Sequence, residues 1–269
     1  MKTWAQLFSE HPEVPLELFH WWLSDVLDHS LVNLPLQERP DEKAEQAFQQ
    51  AAHRLAQGEP VQYVCGRAPF RDLDLKVDKR VLIPRPETEQ LVQIALDRFI
   101  RPGHRVLDVG SGSGCIALSI KKTLPGCQVE GRDISQDAID LARENAKALN
   151  LDVPFKQAHL LSDEPFRSWE IIISNLPYIG EKEKADLPSN VLEFEPHLAL
   201  FSGPDGTDLI LELLRQAENV LAPGGTLLLE TGESQGTVWR QAAADQGWGI
   251  EGIKDLADRE RFWIFQKEA

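Results

Sequence analysis

Apolar residues follow two rhythms along this chain. In the first third, Trp4, Leu7 and Phe8, then Leu16, Leu18, Phe19, Trp22, Leu23, Val26 and Leu27, recur at helical spacing, which predicts amphipathic helices with one buried face. Asp41-Glu42-Lys43-Ala44-Glu45 opens a further helix reaching Leu55, since acidic residues favour a first helical turn. Residues 1–62 are therefore read as a small helical bundle. Its Trp21-Trp22 pair serves either the core or a docking surface, and at least one of the two is expected inside. Between about residues 63 and 81 the rhythm shortens to alternation, as in Phe70-Arg71-Asp72-Leu73-Asp74-Leu75-Lys76-Val77. That predicts a hairpin, and residues 63–84 are read as a linking segment.

From Glu87 onward helix and strand alternate, the pattern of a doubly wound α/β sheet over residues 85–269. Residues 91–100 read as a helix ended by Pro102-Gly103. Strands are expected at residues 105–109, 128–133, 154–158, 171–174 and 225–230. Helices are expected at 135–149 and at 207–221, the latter closed by Pro223-Gly224-Gly225. Residues 250–255 and 261–266 read as a final hairpin-like pair. In such a sheet ligands bind beyond the carboxyl ends of the strands, which directs attention to the segments after residues 109 and 174.

The strand Arg105-Val106-Leu107-Asp108-Val109 runs into Gly110-Ser111-Gly112-Ser113-Gly114, and Cys115-Ile116-Ala117-Leu118 then begins a helix. Strand, glycine loop and helix form a nucleotide-type crevice, and the glycines let the backbone approach a ligand closely. The spacing is GxGxG, with Cys115 where a dinucleotide fingerprint has its third glycine. This argues against a bound pyrophosphate and for a smaller ligand with an amino-acid end. About twenty residues on, Asp133 ends the next strand; it either accepts the ribose hydroxyls of an adenosine or caps the helix that follows.

The apolar run Ile171-Ile172-Ile173-Ser174 ends in Asn175-Leu176-Pro177-Tyr178, a turn that suits gripping a planar amide or amino group. Such a nitrogen is a poor nucleophile, and an enzyme that alkylates it must hold its N–H bonds so that the lone pair faces the electrophile. The Asn175 side-chain carbonyl and the Leu176 backbone carbonyl offer two acceptors. Pro177 fixes the backbone, and Tyr178 offers a flat wall for stacking. An ordinary strand-to-turn transition has the same composition; the upstream glycine loop favours the catalytic reading.

With these features in this order the chain resembles class I S-adenosylmethionine-dependent methyltransferases, which implies a Rossmann-like, mostly parallel sheet of seven strands beside the small helical domain. Gly58-Glu59-Pro60-Val61-Gln62-Tyr63, Val81-Leu82-Ile83-Pro84-Arg85-Pro86-Glu87-Thr88-Glu89, the glycine loop, Asn175-Leu176-Pro177-Tyr178, Phe194-Glu195-Pro196 and Gly203-Pro204-Asp205-Gly206 narrow the resemblance to the PrmC/HemK family. That family comprises the release factor glutamine N5-methyltransferases. The resemblance implies a methyl donor, S-adenosyl-L-methionine, held by Gly110, Ser111, Gly112, Ser113, Gly114, Asp133, Leu160 and Asn175, and a catalytic set of Asn175, Leu176, Pro177 and Tyr178. It also implies a class-1 peptide chain release factor as substrate, methylated on the glutamine of Gly-Gly-Gln, with the helical domain contacting that partner. The family usually has Asn-Pro-Pro-Tyr, so Leu176 in the second position is expected to reduce preorganisation without removing the chemistry. Where many class I enzymes carry an adenine-contacting Asp, this chain has Gln157-Ala158-His159-Leu160, and His159 is read as a surface or supporting residue before an adenine ligand. Arg85 and Glu87 either line the pocket or tie the linker to the main domain; Glu195 is left outside the catalytic set.

Composition constrains the partners. The formal net charge is −15, which counts against an autonomous nucleic-acid methyltransferase, because phosphate backbones bind basic surfaces. No direct nucleic-acid contact is expected; an acidic face suits a basic protein partner. A nucleobase amino-methyltransferase remains the alternative, since an exocyclic amine poses the same geometric problem. An oxidoreductase would leave the Asn175 turn unexplained, and a noncatalytic binding protein would not need it. Cys65, Cys115 and Cys127 lack CxxC spacing, pointing to free thiols in a reducing cytoplasm and to no metal. No apolar run reaches transmembrane length and no signal peptide is indicated. A cytoplasmic monomer without membrane attachment is expected.

Overall fold

The structure, a computed structural model, describes residues 2–27, 34–162 and 164–267. It divides into two units, Met1–Arg67 with Pro188–Phe194, and Ala68–Leu187 with Glu195–Ala269. In the first, α1 (Trp4–Phe8), α2 (Leu16–Leu27), α3 (Glu42–Ala56) and α4 (Val61–Cys65) surround a core of their own. The Thr3 and Gln6 side chains cap α1 reciprocally, and Asp41 caps α3 by accepting from the Ala44 N–H at 2.7 Å. Phe48 packs against Trp4, Phe8, Phe19 and Trp22, with centroids 5.1–6.0 Å away. Trp22 is buried and Trp21 half-buried, so the core claims one of the pair. Helix α4 stands where the alternation suggested the start of the hairpin; the hairpin itself is β1 (Arg67–Phe70) with β2 (Leu73–Lys76).

The larger unit continues with α5 (Pro86–Ile94), which closes in a π-helical turn at Ala95–Phe99. There follow β3 (Arg105–Val109), α6 (Cys115–Thr123), β4 (Gln128–Asp133), α7 (Gln136–Ala148), β5 (Phe155–Gln157) and β6 (Trp169–Ser174). The chain then enters α8 (Ser189–Phe194), which groups with the N-terminal unit, and returns through α9 (Asp208–Val220), β7 (Leu221–Glu230), α10 (Gly236–Gln246), β8 (Gly249–Lys254) and β9 (Glu260–Gln266). The seven strands lie in the order β5-β4-β3-β6-β7-β9-β8, with β9 antiparallel to both neighbours and the others parallel where they pair.

Both faces of the sheet are buried, which is why its central strands read as unbroken apolar runs. Alternate residues serve opposite cores: Val106, Ile171, Ile173 and Leu228 join one cluster, Leu107, Ile172, Leu227 and Leu229 the other. Pro223 and Gly224, which were expected to precede β7, lie inside it. Leu221 already pairs with Trp169, and the register then jumps so that Thr226 pairs with Ile171, leaving Pro223-Gly224-Gly225 as an irregular bulge. No helix among the described residues is long and apolar enough to cross a membrane.

Candidate active site

Register brings the two sequence motifs together. Strands β3 and β6 pair with Val109 beside Ser174, and the Ser174 hydroxyl donates to the Val109 carbonyl at 2.6 Å. The glycine loop and Asn175 therefore leave the sheet side by side at the carboxyl edge, where open α/β sheets bind ligands. Between them lies a cleft lined by Gly110, Ser111, Gly112, Ser113, Asp133, Ile134, Leu160, Asn175, Leu176 and Pro177, among others.

The loop needs its glycines for different reasons. Gly110, at φ +75°, lies under Leu176, whose Cδ2 would stand 2.8 Å from a β-carbon placed there. Gly112, at φ +51°, has open space at that position, leaving its backbone available to a ligand. Gly114 stands behind the cleft wall instead, against Phe155 and Leu118. The Gly112 N–H and the Ser135 N–H each donate to one Asp133 oxygen at 2.9 Å, so each oxygen keeps acceptor capacity. Burial raises the Asp133 carboxyl above the ordinary range. Ser135 caps α7 by accepting from the Ala138 N–H, which removes the capping alternative for Asp133.

Asn175 is held by a chain of buried groups. Its Nδ2 donates to Thr88 Oγ1 at 2.9 Å, and the Thr88 hydroxyl donates to Glu230 Oε2 at 2.7 Å. Thr88 and Glu230 are 2% and 1% exposed. Among the described residues no donor reaches Asn175 Oδ1 or the Leu176 carbonyl, so both acceptors of the turn are free for a ligand. Tyr178 does not line the cleft. Its ring passes Gly232, where a β-carbon would come within 3.6 Å, and its carbonyl accepts from Gln235 Nε2 at 2.8 Å. Burial pushes its hydroxyl up to about 12. The same Gln235 amide reaches the Gly206 carbonyl at 3.2 Å, and a β-carbon on Gly206 would meet the Tyr178 carbonyl. The Gly203-Pro204-Asp205-Gly206 motif thus gains a physical reason, a tight fit behind the turn.

Other residues sort as follows. Arg85 lines the cleft and donates to Glu195 at 2.6 Å; Glu195, 4% exposed, also accepts from the Ile83 N–H at 3.2 Å. Glu87 lies off the cleft, near enough to Glu230 to disfavour its charge. His159 lines the cleft, with Nδ1 3.7 Å from Glu212 Oε1. Cys115 also lines it, but burial pushes the thiol up to about 12, a poor nucleophile at neutral pH. Sequence reasoning assigned no role to Thr88, Glu230 or Asp108. Asp108 is fully buried, its Oδ2 accepts from the Ala117 N–H at 3.1 Å, its Oδ1 has no partner among the described residues, and burial pushes it up to about 8. The signal available for Asp108 and Glu230 was an acid within or at the end of an apolar strand run.

Fold and cleft define a class I methyltransferase architecture. It shares the fold of a methyltransferase from Pyrococcus furiosus, with a TM-score of 0.58, 21% identity and coverage of 74% of this chain and 91% of that one. The family described as Methyltransferase small domain matches residues 88–193, and that described as PrmC N-terminal domain matches residues 1–66. The chain is 41% identical over 238 residues to the release factor glutamine methyltransferase of Rhodopirellula baltica, covering 85% of this chain and 80% of that one. It is 39% identical over 256 residues to the enzyme of the same name from Neisseria gonorrhoeae, covering 94% and 93%. The chain belongs to the release factor glutamine methyltransferase family.

Proposed function

We propose that this protein transfers a methyl group from S-adenosyl-L-methionine to the side-chain amide nitrogen of the glutamine in the Gly-Gly-Gln motif of class-1 release factors. The observation that carries this reading is the register of β3 against β6, which sets a glycine loop beside two unused carbonyl acceptors. The residues present fit the donor. The open side of Gly112 suits an amino-acid end, the spare acceptor capacity of Asp133 suits vicinal hydroxyls, and Ile134 and Leu160 supply apolar walls for a flat base. Ser111 and Ser113 complete the loop on the donor side. When bound, S-adenosylmethionine supplies a methyl group on a sulfonium, whose thioether is an excellent leaving group.

The protein then has to position the acceptor. Asn175 Oδ1 and the Leu176 carbonyl accept the two amide hydrogens of the glutamine, turning its nitrogen lone pair toward the donor side of the cleft. Pro177 keeps that corner in one conformation. Tyr178 supports it from behind through Gln235 instead of stacking on the substrate. One amide proton leaves to water after transfer. Well-oriented reactants contribute on the order of 7–11 kcal/mol, so no strongly basic group is needed. The glycines flanking the substrate glutamine leave room for it to enter the cleft. In this reading the N-terminal unit, whose residues 1–66 match the PrmC N-terminal domain, binds the remainder of the release factor. As a test, Asn175→Ala is expected to retain donor binding by calorimetry while methylation of a release factor falls to background; undiminished turnover removes Asn175 from its role.

A further inference from the structure

We propose that Thr88 and Glu230 are positioning residues that set the polarity of the Asn175 amide, so that its carbonyl oxygen and not its NH2 group faces the substrate. The inference rests on the proposed glutamine methylation and adds the device that orients its principal acceptor. A primary amide reads nearly the same in either orientation, yet only one serves here. With NH2 toward the cleft, Asn175 would present donors to the donors of a glutamine amide and turn the nucleophile the wrong way.

The hydrogen-bond chain admits one direction when Glu230 is ionised. A carboxylate has no proton to give, so the single Thr88 proton lies in its 2.7 Å bond to Glu230. The Thr88 oxygen can then only accept at 2.9 Å, and the one Asn175 group able to donate is NH2. Oδ1 is left pointing away from Thr88. Three elements converge to make the chain: Glu230 follows Leu229, which pairs with Ser174 in β6, and Thr88 comes from the first turn of α5. Burial of both intermediates shields them from water, which would otherwise offer Thr88 other donors and acceptors.

The same chemistry makes the orientation depend on one proton. A protonated Glu230 can donate to Thr88, and Thr88 is then free to donate to Asn175 Oδ1, which turns NH2 toward the cleft. Burial pushes the Glu230 carboxyl up to about 7; its bond from Thr88 opposes this, as does Arg261 from β9, while Glu87 in α5 adds to the rise and Arg85 lowers it. The Tyr178 hydroxyl and the Asp255 partner of Arg261 complete the charged or titratable surroundings. The carboxyl loses its charge as pH falls through that range, so turnover should fall on the acid side.

The test compares Thr88→Val, Thr88→Ser and Glu230→Gln in the full chain. Thr88→Val is expected to lower kcat on a release factor by about tenfold or more with donor Kd within about twofold, and Thr88→Ser to restore most of it. In wild type, kcat should decline below about pH 7, and Glu230→Gln should flatten that limb. A purely structural tie predicts the reverse signature, a loss of thermal stability and donor affinity with an unchanged pH profile, and would overturn the proposal. A second readout does not require activity: with 15N-labelled asparagine, the Asn175 NH2 protons should be protected from solvent exchange in wild type and lose protection in Thr88→Val. Equal exchange in both overturns the relay even if methylation is confirmed. Protected protons in an enzyme that leaves glutamine unmodified keep the relay and instead reject the glutamine assignment.

Discussion

Leu176 takes the position where the Asn-Pro-Pro-Tyr pattern of the resemblance would place a second proline, and its side chain supplies a packing tie there. It is 6% exposed and belongs to the core under the sheet's second face, with Val109, Leu160 and Leu213. Because it also lies directly over Gly110, one side chain ties the acceptor turn to the donor loop. A proline at this position would fix the turn through its ring; leucine fixes it through packing. Leu176→Ala should therefore lower stability by about 2–5 kcal/mol in urea unfolding, as expected for a buried leucine. A change near zero would mean that the turn holds itself without this contact. At the same scale, the place of Asn175 and Leu176 at the cleft beside the glycine loop was legible from the local motif. Thr88 was not, because a threonine buried to make a hydrogen bond leaves no trace in an apolar pattern.

Among the elements, α7 starts at the cleft, and its first turn is capped by one hydroxyl. Ser135 accepts from the Ala138 N–H at 3.2 Å and its own N–H donates to Asp133, so cap and donor-side carboxylate share a short segment. Ser135→Ala is expected to cost about 0.5–2 kcal/mol, measured by chemical denaturation; an unaltered midpoint would mean that the Ser135 hydroxyl does not secure the helix start. The sequence located the strands and helices of the larger unit to within a few residues wherever the apolar period was continuous, as in β3, β4, β6 and α7. It placed the start of α5 too late, because Glu87-Thr88-Glu89-Gln90 carry no apolar rhythm although Pro86 stands in the first helical turn. It also stopped short of Leu221 for β7, since a Pro-Gly-Gly run reads as a terminator unless the strand partner Trp169 is known. The insertion of β9 between β7 and β8 is a matter of tertiary pairing that local pattern does not encode.

At the level of the whole molecule, two units carry separate cores, and the cleft is built wholly from the larger one. The proposed function divides accordingly, with methyl transfer in the larger unit and contact with the protein substrate proposed for the smaller. An acidic total of −15 suits encounter with a basic partner and not with a bare phosphate backbone. The candidate site was readable in outline, because the glycine loop and the Asn175 turn are local motifs. Its inner support was hidden, since the Glu230–Thr88–Asn175 chain joins Thr88 to Glu230 across 142 residues of sequence and to Asn175 across 87. The central claim, methyl transfer to a glutamine amide, is tested most directly by incubating the protein with labelled S-adenosylmethionine and, in parallel, a class-1 release factor or nucleic acid, then locating the label by mass spectrometry. The account predicts a single methyl group on the side-chain nitrogen of the Gly-Gly-Gln glutamine; label on a nucleobase, or an unmodified glutamine despite bound donor, would contradict it.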